Sequence, residues 1–276
     1  MSRAPRIAFV ILTWNSERHD EPCVRSVLAC SGIDASVAVV DNGSTDETPA
    51  MLRALAAAHG EVHPVFLDEN LGTTVSRNIA LRNLPEGAEY VCVLDSDTVV
   101  NGKALLRMVD LLDGDPSIGV VGPAMRDSAG VVQQSGRNLP TLGIKLMKAL
   151  PGSKAQARGA RLEATSSPVV GRIQDVPYLI SACWLVPVRV FRQVGLLDER
   201  IFYAPEDVDW CLRCRKAGYR VVWCHDAEIV HEYQRISKKR FFSKTNLEHL
   251  KGLAHYFRKH RYLLDAGKAL ETEKRP

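Results

Sequence analysis

The sequence predicts an α/β protein built on an open, mostly parallel sheet flanked by helices. Three observations carry this. Short runs rich in Val and Ile alternate with longer amphipathic stretches, the pattern of strands buried on both faces and joined by helices. The first hundred residues run in βαβα order, which gives a parallel sheet. The composition, 46% hydrophobic and 25% charged over 276 residues, is that of an ordinary globular protein. A chain of this length buries about three quarters of the surface it would expose unfolded, so it needs no disulfide or metal staple.

Taken in order, residues 7–13 form the first strand, 37–41 the second, 65–67 a third and 90–95 a fourth. Helices fall between them at 23–29, 48–59 and 75–81; Thr45 or Asp46 would cap the second. A helix at 104–112 and a strand at 118–122 follow. From 139 to 168 the chain is rich in Gly, Ala, Ser and Pro, and Lys145, Lys148, Lys154, Arg158 and Arg161 face only Glu163. This reads as a mobile loop with one short amphipathic turn around 142–150, or as a disordered excursion. Pattern returns with a strand at 175–186, a helix at 189–194, a second at 208–217 ended by Gly218, and a strand at 219–224.

Seven cysteines, an odd number at irregular spacing, do not form a secreted disulfide framework, and a reducing cytoplasm is expected. The apolar stretch at 7–12 is too short for a signal-peptide core, and no run reaches eighteen apolar residues. The net charge of +4 is too weak to imply a nucleic-acid partner. It is also uneven. Residues 235–276 hold twelve Lys or Arg against four acids, a net +8 that leaves −4 on residues 1–234. The expected organisation is therefore one domain over 1–234 and a basic, amphipathic helical segment over 235–276. Its stripe of Leu247, Leu250, Leu253 or Ala254 and Phe257 either docks on the domain or lies on an anionic membrane surface.

In an open parallel sheet, ligands bind where the strands end, so the polar residues after each apolar run are informative. They are Thr13, Trp14 and Asn15; Asp41 through Asp46; and Asp95, Ser96 and Asp97. All three groups should share one edge. Either Asp95 or Asp97 alone is an ordinary loop cap, but two carboxylates separated by one small residue offer oxygen ligands to Mg2+ or Mn2+, which hold phosphate oxygens in turn. Gly43 and Asp46 suit a strand-to-helix turn; Asp41 is left to accept hydrogen bonds from a ribose or a base. Neither a P-loop nor a Gly-x-Gly-x-x-Gly is present, which excludes the common ATPase and dehydrogenase patterns. Glu206, Asp207 and Asp209 open a helix whose dipole they would stabilise, yet three acids exceed what a dipole needs. Cys211, Cys214, Cys224, His225 and His231 have zinc-ligand chemistry, against which stands the reading of Cys211 and Cys214 as small buried hydrophobes.

Taken together the motifs resemble the family 2 glycosyltransferases, inverting, nucleotide-sugar-dependent enzymes of the GT-A fold, and especially the rhamnosyltransferase-like subgroup of cell-envelope polysaccharide assembly. The matching stretches are Val10-Ile-Leu-Thr-Trp-Asn-Ser16, Val39-Val-Asp-Asn-Gly-Ser-Thr-Asp46, Asn70-Leu-Gly72 with Arg77-Asn78, Val93-Leu-Asp-Ser-Asp-Thr98 and Val120-Val-Gly-Pro123. The longest runs from Ser181-Ala-Cys through Phe191 to Glu199, Glu206-Asp-Val-Asp-Trp-Cys-Leu-Arg213 and Ala217-Gly-Tyr-Arg220.

The resemblance implies a nucleotide pocket from Thr13, Asn15, Asp41, Asn42 and Asp46. Asn70, Gly72, Arg77 and Asn78 would border the diphosphate and sugar. Asp95 and Asp97 would form the site of a divalent cation, Mn2+ or Mg2+, with Asp97 the more direct ligand and His231 touching the metal or diphosphate. In the Glu206-Asp207 pair, Asp207 would be the general base. Two departures are visible: Ser181 stands where Gly is frequent, and Glu232-Tyr233 follows His231 where x-Gly is common. The implied partners are a nucleotide-diphosphate sugar donor and a glycan or lipid-linked acceptor, with the oligomeric state open. The implied location is the cytoplasm, peripheral on the inner membrane face. A different class, a catalytically silent nucleotide-sugar-binding scaffold on the same fold, would not need Asp95, Asp97 and Asp207 intact. A sugar nucleotidyltransferase would want a Gly-rich basic loop after the first strand, where this chain has Thr13-Trp-Asn-Ser16.

Overall fold

The computed structural model describes residues 6–150, 152–165, 171–232 and 244–271. Strand β1 (Arg6–Thr13) leads through α1 (Glu17–Leu28) to β2 (Asp34–Asp41), through α2 (Thr48–Ala58) to β3 (Val62–Phe66), and through α3 (Gly72–Arg82) to β4 (Tyr90–Asp95). A short β5 (Thr98–Val99), α4 (Gly102–Gly114) and β6 (Ile118–Arg126) follow, then the short strands β7 (Val132–Gln133) and β8 (Gly136–Arg137). Helices α5 (Leu142–Lys148) and α6 (Lys154–Glu163) come next, then β9 (Ile173–Asp175), β10 (Tyr178–Leu179), β11 (Cys183–Pro187) and α7 (Val188–Val194). The chain continues with α8 (Glu206–Lys216), β12 (Arg220–His231), α9 (Lys244–His260) and α10 (Lys268–Glu271).

The main sheet has the order β3-β2-β1-β4-β11-β6-β12-β5, and a small second sheet pairs β8 with β10. Its faces are set by strand alternation: Ile7, Phe9 and Ile11 join the core under α1, α2 and α4, while Val10, Val91 and Val93 join the one under α3, α7 and α8. Among the described residues no helix is long and apolar enough to cross a membrane.

The sheet is mostly parallel, as expected, and mixed because β11 runs antiparallel to both β4 and β6. Two expectations are corrected here. The single strand expected at 175–186 is three short ones, since Pro177 lacks the N–H a ladder needs and residues 180–182 turn the chain before β11. The stretch at 139–168, expected as a loop with one short turn around 142–150, holds α5 at that turn and a second helix, α6. Thr141 and Ser153 cap them, each side chain accepting a hydrogen bond from the backbone N–H three residues on. The unbalanced basic charge that suggested a loop is neutralised in the fold: Glu163, 3% exposed, accepts from Lys145 at 2.8 Å and from Lys148.

Of the basic C-terminal segment, residues 233–243 and 272–276, and with them the expected boundary at 234, lie outside the described residues. Helix α9 docks on the domain through Leu253, Tyr256 and Phe257. Its cations are partly spent on that contact. Lys259 pairs with Asp198 at 2.8 Å and with Asp209 at 2.6 Å, and His260 with Asp209 at 2.8 Å. Asp209, fully buried in α8, is held down to about 2: desolvation raises it, but His260, Arg213 and Lys259 outweigh that. A depressed carboxyl stabilises the fold above its unfolded pKa and stops doing so as pH falls through its folded one. The shift from 3.8 to about 2 corresponds to about 2 kcal/mol, complete above pH 4 and lost towards pH 2. In urea unfolding, the stability gap between wild type and Asp209→Asn should therefore narrow as pH is lowered across that window; a constant gap would contradict it.

Candidate active site

The parallel register brings the strand-end residues together as expected. Thr13 lies opposite Asp41 and Leu12 opposite Asp95, so β1, β2 and β4 end on one edge. The loops there are stitched across one another. Asn15, in the left-handed region at φ 49°, donates its backbone N–H to Ser44 Oγ at 2.8 Å and accepts from the Thr45 N–H at 2.8 Å. Asp41 accepts from the Ser44 N–H at 3.0 Å, and Asp46 from the Thr48 N–H at 3.1 Å; the N-cap of α2 is Glu47, one residue past the expected Thr45 or Asp46, and its side chain makes no cap bond. Asn42 Oδ1 accepts from the Leu71 N–H at 2.8 Å and from Ser76 Oγ at 2.7 Å, while its amide donates to Asn70 Oδ1 at 3.0 Å. Trp14 stands 46% exposed beside these loops.

Some residues expected to face a ligand are turned inward instead. Thr13 is buried and donates to Asp20 at 2.7 Å. Asp20, which sequence reasoning passed over, is pushed up to about 7 by burial, against hydrogen bonds from Thr13, Ser96 and Thr48. Asn78 is buried and binds the 197–199 segment, donating to the Leu197 carbonyl and to Glu199, each at 2.9 Å. Arg77, expected beside a diphosphate, is 1% exposed and spends both terminal guanidinium nitrogens on protein. It donates to Asp95, to Ser181 Oγ at 2.9 Å and to Glu206 at 3.4 Å. It thus ties the end of β4 to the start of α8, and Ser181 completes the link by donating to the same Glu206 oxygen at 2.9 Å.

Gly72 opens α3 at φ +83°, and a Cβ built on it would lie 2.3 Å from the Phe202 carbonyl oxygen. That close approach, with the Thr73 N–H donating to the same oxygen at 2.6 Å, seats the segment that leads into Glu206 and Asp207. Gly72→Ala should cost at least about 2 kcal/mol in urea unfolding, since both the left-handed backbone and the contact resist a methyl group. A cost under about half a kcal/mol would mean the segment shifts freely.

Among the described residues, Asp95, Asp97 and His231 are the one group of three or more His, Cys or acidic side chains whose ligand atoms lie within 4.8 Å of one another. His231 reaches this point because β12 ends beside β5, pairing His231 with Thr98, and the Glu232 N–H donates to the Asp97 carbonyl at 2.8 Å. His231 Nε2 lies 3.3 Å from Asp97 Oδ1, and its Nδ1 lies 2.7 Å from Gln133 Oε1. With Gln133 accepting from Nδ1, Nε2 faces the carboxylates; Asp97 favours a proton there, and a cation displacing that proton would find the arrangement common behind metal-bound histidines. Gln133 also donates to the His231 carbonyl at 2.6 Å, which anchors the amide that meets the ring. Desolvation, opposed by Arg77 and reinforced by Asp97, pushes the Asp95 carboxyl up. Two oxygens and one imidazole nitrogen suit Mn2+ or Mg2+, and a cation's charge would relieve the strain of two adjacent carboxylates.

At the start of α8, Glu206 is buried and pushed up to about 8, first by desolvation and then by the neighbouring Asp207 charge, with Arg77 pulling the other way. Asp207 is half-buried. Its carboxyl is raised by desolvation against the Val208 N–H and the charges of Arg137, Lys145 and Arg77. Glu206 is therefore a partner of Arg77, and Asp207 the more open carboxylate. The zinc alternative finds no support: Cys211 and Cys214 are buried in α8, and burial drives the Cys214 thiol up to about 12.

A family model described as glycosyltransferase-like family 2 matches residues 5–250. An N-acetylglucosaminyl-diphospho-decaprenol L-rhamnosyltransferase of Mycobacterium tuberculosis is 32% identical over 238 residues, covering 80% of this chain and 74% of the relative. A dTDP-rhamnosyl transferase, RfbF, of Shigella flexneri is 26% identical over 223 residues, covering 80% and 67%. The fold is similar to that of the mannosyltransferase PcManGT from Pyrobaculum calidifontis, solved with GDP-Man and Mn2+, at a TM-score of 0.63 and 20% identity, over 99% of this chain and 66% of the other.

Proposed function

The chain belongs to the glycosyltransferase-like family 2, and from that premise we propose that it transfers a sugar with inversion from a nucleotide-diphosphate donor to a hydroxyl of a lipid-linked glycan acceptor. It is a glycosyltransferase of the GT-A fold, of the kind that builds cell-envelope polysaccharide. The observation that carries the reading is one juxtaposition: Arg77 joins Asp95, at the metal-type cluster, to Glu206, beside the most open carboxylate of α8. Departing diphosphate and attacking hydroxyl need such groups a sugar's width apart.

In this proposal the Asn15, Asp41, Asn42 and Asp46 loops hold the nucleotide, and Asn70 and Gly72 shape the wall towards the sugar. Asp95, Asp97 and His231 would hold Mn2+ or Mg2+, which supplies neutralising charge for the leaving diphosphate. Asp207 takes the proton of the acceptor hydroxyl as that oxygen attacks the anomeric carbon from the face opposite the leaving group. Burial raises the Asp207 carboxyl and so its basicity, and Arg77 holds the neighbouring Glu206. The lipid-linked acceptor is supported by the name of the 32% identical relative, whose substrate carries a diphospho-decaprenol. Action at the inner face of a membrane follows from such an acceptor.

The test is a panel of nucleotide sugars in thermal-shift and transfer assays with and without Mn2+. At least one donor should raise the melting temperature only with the metal, and should be consumed when lipid-linked acceptor is added. A donor that binds but is never transferred or hydrolysed would favour the silent scaffold.

A further inference from the structure

Helix α9 has two stripes, and the domain absorbs only one. Leu253, Tyr256 and Phe257 are buried, whereas Leu247 and Leu250 are 54% and 62% exposed. On the same outer side, at helical spacing, follow the exposed Arg258 and, just past the helix end, Arg261. Helix α5 repeats the arrangement: Ile144 is buried, while Leu142, Leu146 and, just beyond, Leu150 are 38%, 61% and 55% exposed. Between them the chain turns at Arg261, whose φ is +54°, and presents Leu263 and Leu264 at 52% and 76% exposure.

These pieces are joined rigidly. The Leu142 N–H donates to the Leu263 carbonyl at 2.8 Å, Tyr262 donates to the Pro140 carbonyl at 2.9 Å, and the Tyr256 and Tyr262 hydroxyls meet at 2.6 Å. The result is a groove of about 890 Å³ with apolar walls, lined also by Arg258, Arg261 and Lys268 against one acid, Asp265, and by Lys145, which Glu163 already pairs. Apolar surface of this extent is rare on a protein that meets only water. Leucines at the centre and cations at the rim match the layering of an anionic bilayer, acyl chains below phosphates. Placement agrees: Lys259 and His260, at the end of α9, pair with Asp209, two residues along α8 from Asp207.

We propose that this face, formed by α5, the end of α9 and the 261–265 turn, seats on an anionic membrane surface. Leu146, Leu250, Leu263 and Leu264 enter the interfacial layer, and Arg258 and Arg261 meet lipid phosphates. The orientation brings the Asp207 side of the active site to the membrane, and in that respect it rests on the reading of a lipid-linked acceptor.

Co-sedimentation of the full chain with vesicles tests it directly. Binding should be strong to vesicles rich in phosphatidylglycerol, weak to pure phosphatidylcholine, and reduced by salt. The pair Leu146→Glu and Leu264→Glu, both at exposed positions, should lower binding more than tenfold; Arg258→Gln and Arg261→Gln should each lower it about fivefold. Circular dichroism and metal-dependent donor binding should not change in these variants. Wild type that ignores anionic vesicles, or leucine variants that bind as wild type does, would overturn the proposal. So would a wild-type dimer in sedimentation velocity that the leucine variants dissociate without altered vesicle binding, since the face would then be a contact between copies. The vesicle assay contains neither donor nor acceptor, so its failure overturns the docking surface alone. Absence of donor binding in wild type would instead strike the enzymatic reading.

Discussion

Replacing Asp207 by Asn should lower sugar transfer by about 10² to 10⁴-fold, the range a general base supplies, and leave donor binding within about twofold of wild type. The substitution keeps the shape of the side chain, including the oxygen that accepts the Val208 N–H at 2.8 Å. It removes only the capacity to take a proton. Asp207 lies outside the Asp95, Asp97 and His231 cluster and outside the Asn15 and Asp41 loops, so neither diphosphate nor nucleotide should sense the change. Burial has raised this carboxyl while Arg137, Lys145 and Arg77 oppose the rise. Wild-type transfer should accordingly fall on acidification as Asp207 takes up a proton, and Asp207→Asn should show no such limb. The measurements are single-turnover transfer and calorimetric donor binding with Mn2+. A variant that keeps more than about a tenth of wild-type turnover would remove Asp207 from the role.

How far the sequence reaches this site depends on the range of the interactions involved. The ends of β1, β2 and β4 are legible because each apolar run stops at a polar residue, and parallel strands must stop on the same edge. Asp95 and Asp97 are legible because carboxylates on alternate positions have little structural reason to end a buried strand. Arg77 is not. Its partners Ser181 and Glu206 are 104 and 129 residues away, and nothing local distinguishes a helix arginine that meets solvent from one that bridges two carboxylates. Gln133, 98 residues from His231, is hidden for the same reason. The direction of β11 escapes because a strand buried on both faces is apolar throughout and carries no mark of its polarity. Only the amphipathic turn at 142–150, which is α5, is legible in that stretch; α6 escapes because Glu163 alone answers Lys145 and Lys148, and composition cannot show that one buried acid holds two lysines.

Removing the divalent cation, or replacing Asp97 by Ala, should lower transfer by about 10³-fold and, unlike Asp207→Asn, weaken donor binding as well. The difference follows from where the charges sit. Asp95 is already engaged by Arg77, so a cation at this cluster leans most on Asp97 and on His231 Nε2, which lie 3.3 Å apart. Without Asp97, the only carboxylate left is Asp95, already shared with Arg77, so the hold on Mn2+ weakens and the departing diphosphate loses counter-charge. Calorimetry separates the cases: wild type should bind the nucleotide sugar tightly only with Mn2+, and Asp97→Ala equally weakly with Mn2+ or with a chelator. Gln133→Leu should fall between, because it leaves all three ligands in place but frees the His231 ring from its Nδ1 partner. Loss of such a supporting hydrogen bond typically costs about 10- to 100-fold in metal affinity. That grading, severe at Asp97, moderate at Gln133 and absent at Asp207 when binding is the readout, is what a metal at this cluster requires. Donor affinity that is the same with Mn2+ and with chelator in wild type would place the diphosphate's counter-charge elsewhere.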